Sequence, residues 1–424
     1  MNVRASRLPP GPSLRVLWLA DSEREALVET RVEAFAEAAD PEQLRIELLG
    51  CSRPDGALSS DVGFHPAMRP ESLDGRTPRD IAAFMRLVRL LRSGDYDLIH
   101  AHLPWACVWG SLAARLTGVP LVASLYGTGG TEGEAAAYAK LERTAVKSLQ
   151  RWSRRVVALS GAQWDQFVRN HVFPRGLLEV VYPGVDTISL PEPNVRDRLA
   201  LRRMTGFSAD ALVAVTIAEL EDRRSGVDLL LWAIPEILAA IPDIRFLIVG
   251  GGTAKNELIR RVKARGLNRY VHWHDDGPEA RRLLTGADFL IHPNSGEPFP
   301  FPVVEAMAAG LPVVATRAGG APELLGPDNA GRLVPSTNPE SLAKTVIELA
   351  QVPEQLARMG LAGQARVRDK FSSDRWVSQM TRIYRSVVAE AESGVKRPAW
   401  PHAGLSVELL GLKKGLAALA SARR

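Results

Sequence analysis

The sequence predicts an α/β protein built from two Rossmann-like, doubly wound parallel-sheet domains facing a central cleft. Three observations carry this. Short apolar runs alternate with stretches of helical periodicity, the pattern of a parallel sheet covered on both faces. The alternation breaks once, in the Pro- and Gly-containing stretch Tyr182 to Asn194, and then restarts. The 424 residues suit two domains of roughly 180 to 200 residues each.

In chain order, Leu14 to Leu19 reads as the first strand and Leu44 to Leu49 as the second. Thr77 to Leu91 has apolar residues at three- and four-residue spacing with Arg on the other face, an amphipathic helix. Asp97 to His100 is a short buried strand, Trp105 to Leu116 a small-residue helix, and Pro120 to Leu125 and Arg155 to Leu159 are strands. Pro183, Gly184, Pro191 and Pro193 place a hinge at 182–194. Beyond it, strands are expected at Leu212 to Ile217, Arg245 to Val249, Tyr270 to Trp273, Phe289 to His292 and Val313 to Thr316. Helices are expected at Val227 to Ala240, Asn256 to Arg265 and Val303 to Ala309. Ser372 to Glu392 is a further helix with Trp376, Met380, Ile383, Tyr384 and Val387 on one stripe.

Composition excludes several classes. Hydrophobic residues at 46% and charged residues at 24% describe a globular chain rather than a disordered one. Two cysteines, Cys51 and Cys107, cannot build a disulfide framework or a Cys-rich zinc site, which fits a reducing, cytoplasmic compartment. No apolar run reaches the length of a membrane-spanning helix, and the N-terminus lacks the apolar core of a secretion signal. The net charge of +5 is spread along the chain without zinc-finger, RNA-binding or Walker A spacing, so no nucleic-acid partner is expected. The tail from Leu405 carries Lys413, Lys414, Arg423 and Arg424 among apolar residues. It reads either as a helix packed on the body or as peripheral contact with the inner face of a membrane.

The most informative segment runs from His292 to Thr316. A strand ends at His292, a loop carries Glu297, a helix opens near Pro302 and carries Glu305, and Gly310-Leu311-Pro312 stops it. Two carboxylates beside a helix N-terminus point to a phosphate-bearing ligand. Free N–H groups and the helix dipole hold phosphate, and a carboxylate accepts hydroxyls of a ribose or sugar.

Glu297, seven residues, Glu305, the run Ala306-Met307-Ala308-Ala309-Gly310-Leu311-Pro312-Val313-Val314-Ala315, and then Gly319-Gly320-x-x-Glu323 resemble the nucleotide-sugar signature of retaining glycosyltransferases of family 4. Asp97 to His102, Leu125-Tyr126-Gly127, Val157 to Ser160, Tyr182 to Asp186, Gly226 to Leu230 and Ile248 to Gly252 follow in that family's order. The resemblance covers about residues 14 to 390 and implies the GT-B fold. It implies an acceptor domain (14–187), a nucleotide-sugar donor domain (188–370) and a helix crossing back to the first domain (371–392); outside it, the residues read as a flexible N-terminus (1–13) and a Pro-rich, basic tail (393–424).

The resemblance also implies roles. Glu305 accepts the donor ribose hydroxyls. Glu297 lies at the sugar and its reacting centre. The N–H groups of Phe299, Phe301 and Val303 cradle the diphosphate. Gly250 and Gly251 let the chain turn beside the nucleotide. Read from the residues alone, His100 and His102 lie at a strand end near the cleft, either structural or on the acceptor side. No metal or further cofactor is implied; the nucleotide-diphosphate sugar is a co-substrate, and a glycan or lipid-linked molecule is the acceptor.

The sequence departs from the family where charge is handled. The family's diphosphate-binding Arg and Lys correspond to Glu219 and Ser225, leaving Arg223 or Arg224 as replacements. The turn after the first strand, Ala20 to Glu25, has no glycine. Pro298, Pro300 and Pro302 remove N–H donors. Tyr126 stands where the family has a His facing the donor sugar, and a Tyr is a poor base near neutral pH. The expected activity is sugar transfer with retention of configuration; the alternative these departures raise is a catalytically inactive relative that binds or scaffolds.

Overall fold

The computed structural model describes residues 13–20, 34–50, 78–93, 96–126, 135–186, 194–221, 225–275 and 280–395. Two six-stranded parallel sheets form the frame. The first contains β1 (Leu14–Ala20), β2 (Leu44–Gly50), β3 (Leu98–His102), β4 (Leu121–Ser124), β5 (Arg155–Ala158) and β6 (Leu178–Val180), in the order β2-β1-β3-β4-β5-β6. The second contains β7 (Leu212–Ile217), β8 (Ile244–Val249), β9 (Val271–His274), β10 (Phe289–His292), β11 (Val313–Thr316) and β12 (Arg332–Val334), in the order β12-β11-β10-β7-β8-β9. Helices cover both faces of each sheet, which is why strands such as Leu98–His102 and Phe289–His292 are buried at every position. Strand order reverses between β1 and β3 in the first lobe and between β7 and β10 in the second, and ligands of such sheets bind at the carboxyl ends of strands beside these switch points.

Each lobe has its own core. In the second, Arg202 of the helix Val195–Thr205 is 2% exposed; its terminal nitrogens donate to Asp288 at 2.6 Å and to the carbonyls of Gly286 and Ala211, both at 2.7 Å. Asp288 also accepts from Arg198 and, at 2.7 Å, from the N–H of Val213, so it fastens this helix to the start of β7. The helix Ser373–Glu392 follows the second lobe in sequence but packs on the first sheet. Trp376, Met380, Ile383, Tyr384 and Val387 bury against Trp18, Phe35, Leu98 and Val122. The two chain crossings between the lobes run side by side: Val185 N–H donates to the Phe371 carbonyl at 2.9 Å, and Ser373 N–H to the Val185 carbonyl at 3.2 Å.

Among the described residues, strand and helix types follow the sequence reading wherever it made one; the N-terminus 1–12 and the tail helix expected from Leu405 lie outside the described residues. The sequence reading did not mark β6, β12 or the helices Ala135–Trp152, Gly161–Arg169, Val195–Thr205, Ala280–Gly286, Ala321–Leu325, Pro339–Ala350 and Pro353–Lys370. The two strands have only three residues each, too short to produce a pattern.

Candidate active site

The segment after β10 lies at the second switch point and is held by backbone contacts. Asn294 Oδ1 accepts the N–H of Gly296 at 3.0 Å and of Glu297 at 3.1 Å, an Asx turn that sets the loop. Thr316 Oγ1 donates to the Asn294 carbonyl, and Gly320 N–H donates to the Glu297 carbonyl at 3.0 Å. A Cβ on Gly319 would lie 2.0 Å from the Glu297 carbonyl oxygen, and one on Gly320 2.2 Å from that of Pro298. The Gly-Gly pair therefore exists so that a second loop can press directly on the Glu297 loop.

Glu297 is half-buried, and its Oε2 lies 3.5 Å from Nε2 of His292, a residue only 2% exposed. His292 Nδ1 is buried without a hydrogen-bond partner among the described residues. Glu305 is half-buried in the helix Phe301–Ala308. That helix starts from Pro300 with no side-chain cap, leaving its N-terminus electropositive. One expected donor needs correction. The Val303 N–H closes on the Pro300 carbonyl at 3.0 Å, so it belongs to the first helical turn and does not point at a ligand. The side chains of Phe299, Phe301 and Val303 are core groups, with the two rings 5.0 Å apart.

Facing this helix across the switch point is the loop after β7. Glu219 is exposed and Ser225 is buried, the two residues that the resemblance sets at the family's cationic positions. Arg223 and Arg224, the expected substitutes, lie outside the described residues. The loop after β8 is laced to that after β7: Ala218 N–H donates to Val249, Leu220 N–H to Gly251 and Ala254 N–H to Leu220. A Cβ on Gly250 would lie 2.0 Å from the Ala218 carbonyl oxygen, whereas one on Gly251 meets nothing within 4 Å. Gly252, not Gly251, is the second position where backbone forbids a side chain, its Cβ falling 2.4 Å from the Leu220 carbonyl carbon.

In the first lobe β3 ends at the switch point with His100 and His102. His100 is 1% exposed; its Nδ1 lies 2.6 Å from the Tyr384 hydroxyl and its Nε2 2.9 Å from Ser124 Oγ. Both ring nitrogens are engaged inside the lobe, which favours the structural of the two readings for His100 over the acceptor-side one: it pins the C-terminal helix to β3. Burial, reinforced by the neighbouring His102, lowers its pKa well below the ordinary value. His102 is fully buried, its ring tilted against Trp18 with centroids 4.3 Å apart, and its Nδ1 lies 3.1 Å from the Tyr126 hydroxyl. Burial lowers its pKa to about 3, so it is neutral at physiological pH. Tyr126 itself is half-buried and packs against apolar clusters of both lobes, placing it in the cleft.

The sequence reading assigned no role to Tyr182, His292, Glu323 or Tyr384. Glu323 was legible as part of Gly-Gly-x-x-Glu, but its partners are more than 140 residues away in the chain.

Two parallel-sheet lobes, with Glu297 in the loop before a helix and Glu305 within it at one switch point, define a protein of GT-B architecture. The profile of "Glycosyl transferases group 1" matches residues 197–366, and that of "Glycosyltransferase Family 4" matches residues 28–188. The D-inositol 3-phosphate glycosyltransferase of Streptomyces griseus is 28% identical over 361 residues, 78% of this chain and 75% of that protein. The phosphatidyl-myo-inositol mannosyltransferase of Mycobacterium leprae is 27% identical over 378 residues, 87% and 94% of the two chains. Among solved structures, Anabaena HepE in complex with UDP-glucose superposes with a TM-score of 0.72 at 22% identity, covering 88% of this chain and 100% of that one. The chain belongs to the family 4, group 1 glycosyltransferases and is a glycosyltransferase of GT-B fold.

Proposed function

We propose that the protein transfers a hexosyl group from a nucleotide-diphosphate sugar to a glycan or lipid-linked acceptor with retention of configuration. The observation that carries this is the Glu297–Glu305 segment, fixed by Gly319 and Gly320 at the second switch point with an uncapped helix N-terminus beside it. In this reading Glu305 accepts the ribose hydroxyls, Glu297 stands at the sugar, and the positive end of the helix dipole lies beside the diphosphate. Gly250 lets the loop after β8 press on the loop after β7 beside the nucleotide. Tyr126, held by His102, contacts the sugar from the first lobe. The bond from the anomeric carbon to the diphosphate oxygen breaks, and the acceptor oxygen bonds to the same face. The acceptor proton leaves on the departing phosphate, so no protein base is needed. Arg223 or Arg224 supplies the cation that Glu219 and Ser225 do not; such a cation contributes about a few kcal/mol to a transition state that develops phosphate charge. The inositol-phosphate and phosphatidylinositol substrates named for the relatives make a phosphorylated cyclitol, free or lipid-borne, the first acceptor to test. A lipid-borne acceptor fits peripheral attachment through the basic tail.

The test is nucleoside diphosphate release from a panel of UDP- and GDP-sugars, with inositol 3-phosphate or phosphatidylinositol vesicles as acceptors. Turnover is expected with one donor, unaffected by EDTA and lost in Glu305→Ala; turnover unchanged in that variant contradicts the assignment. The exposed carboxylate of Glu219 at a phosphate-binding position favours a second reading, a catalytically inactive relative. Nucleotide binding without turnover across the panel would select it.

A further inference from the structure

Glu323 joins the lobes. It lies in the short helix Ala321–Leu325, after β11 in the second lobe, yet its carboxylate covers the N-terminus of the helix Gly161–Arg169 in the first. Oε2 accepts the N–H of Gly161 at 2.7 Å and Oε1 that of Ala162 at 2.5 Å. The third N–H, of Gln163, goes to the N-cap Ser160 Oγ at 3.1 Å. The first turn is thus satisfied by one side chain from its own lobe and one from the other. A carboxylate at this position gains from the helix dipole as well as from its hydrogen bonds.

Tyr182, in the chain crossing between the lobes, donates its hydroxyl to the same Oε2 at 2.6 Å. Its ring meets Phe371 of the returning crossing at 5.4 Å and Phe299 of the Glu297 loop at 6.5 Å. Glu323 is braced from behind by Arg366, whose Nη2 donates to the Glu323 carbonyl at 2.8 Å and whose Nε donates to that of Leu324 at 2.6 Å. Gly161 leaves little room for change, since a Cβ there would lie 3.1 Å from Glu323 Oε2.

We propose that Glu323 is a positioning residue that latches the lobes in the register required for sugar transfer, with Tyr182 linking the latch to the donor loop. Separating the lobes removes both N–H donors from one carboxylate together, so partly open arrangements gain little and the latch has two positions. The geometry stands independently of the reaction; the consequence for transfer rests on the function proposed above.

Small-angle X-ray scattering of the full chain tests the latch. Wild type is compared with Glu323→Ala, Gly161→Ala and Tyr182→Phe, each alone and with saturating UDP or GDP. A larger radius of gyration in Glu323→Ala and Gly161→Ala, with a smaller increase in Tyr182→Phe, is expected; identical radii overturn the proposal. If Glu323→Ala does not fold, Gly161→Ala and Tyr182→Phe, verified by circular dichroism, decide it on the same criterion. Turnover of the best nucleotide sugar adds a readout that a merely structural role would not move. In the folded variants kcat falls about tenfold while donor KM stays within about threefold. A parallel loss in kcat and donor affinity contradicts a positioning role. If wild type turns over no nucleotide sugar, the function proposed above fails while the radii still decide the latch.

Discussion

His100 and His102 have a measurable consequence that follows from burial alone. An unfolded His titrates near its ordinary value, whereas in the folded chain His102 is held at about 3 and His100 well below normal. Between those values the unfolded state binds protons that the folded state does not. Stability is therefore complete above the unfolded pKa and is lost as pH falls toward the folded one. The expected slope is about 1.4 kcal/mol per pH unit for one such group. Urea unfolding at neutral and mildly acidic pH should show this loss, and His102→Gln should flatten it. Equal slopes would mean that the histidine is solvated. His292 acts at the same scale. Its ring underlies Glu297 at 3.5 Å, so His292→Ala should reduce turnover by loosening that carboxylate while leaving nucleotide affinity nearly unchanged. These roles were not legible in the sequence, where a His at a strand end does not reveal which way its ring turns. Glu297 and Glu305 were legible because their spacing and the glycines that follow are local.

Among elements, the segments that the sequence reading identified are those whose burial pattern is continuous over several residues. The helix Val227–Ala240 and the strand Phe289–His292 were read at their observed bounds because nearly every core-facing position is apolar. The helix Gly161–Arg169 was missed, since one residue that completes its N-terminus, Glu323, comes from the other lobe. Two predictions belong here. Asp288 is 10% exposed and fastens Val195–Thr205 to β7, so Asp288→Ala leaves the Arg202 guanidinium buried and unpaired. A loss of about 3 kcal/mol in chemical denaturation is expected. Gly320→Ala drives a methyl group into the Pro298 carbonyl oxygen and should displace the Glu297 loop. Nucleotide affinity should then fall more than thermal stability, a comparison open to calorimetry and melting on one sample.

The whole molecule unites two lobes that are each complete at one switch point and insufficient alone. Parallel sheets of buried strands made this architecture readable: the alternation, the single break at 182–194 and the restart follow from chain pattern. The contacts that hold the lobes together were not readable, because they pair Val185 with Phe371 and Ser373, and Glu323 with Gly161 and Ala162, across long stretches of chain. The central claim is that a nucleoside diphosphate binds the second lobe with its ribose on Glu305 and its phosphates at the start of Phe301–Ala308. Calorimetric titration of UDP and GDP into wild type and Glu305→Ala tests it most directly. Removing a carboxylate that accepts ribose hydroxyls should weaken binding of the preferred nucleotide by about tenfold or more. Equal affinity in both proteins, or binding of neither nucleotide to wild type, would contradict it.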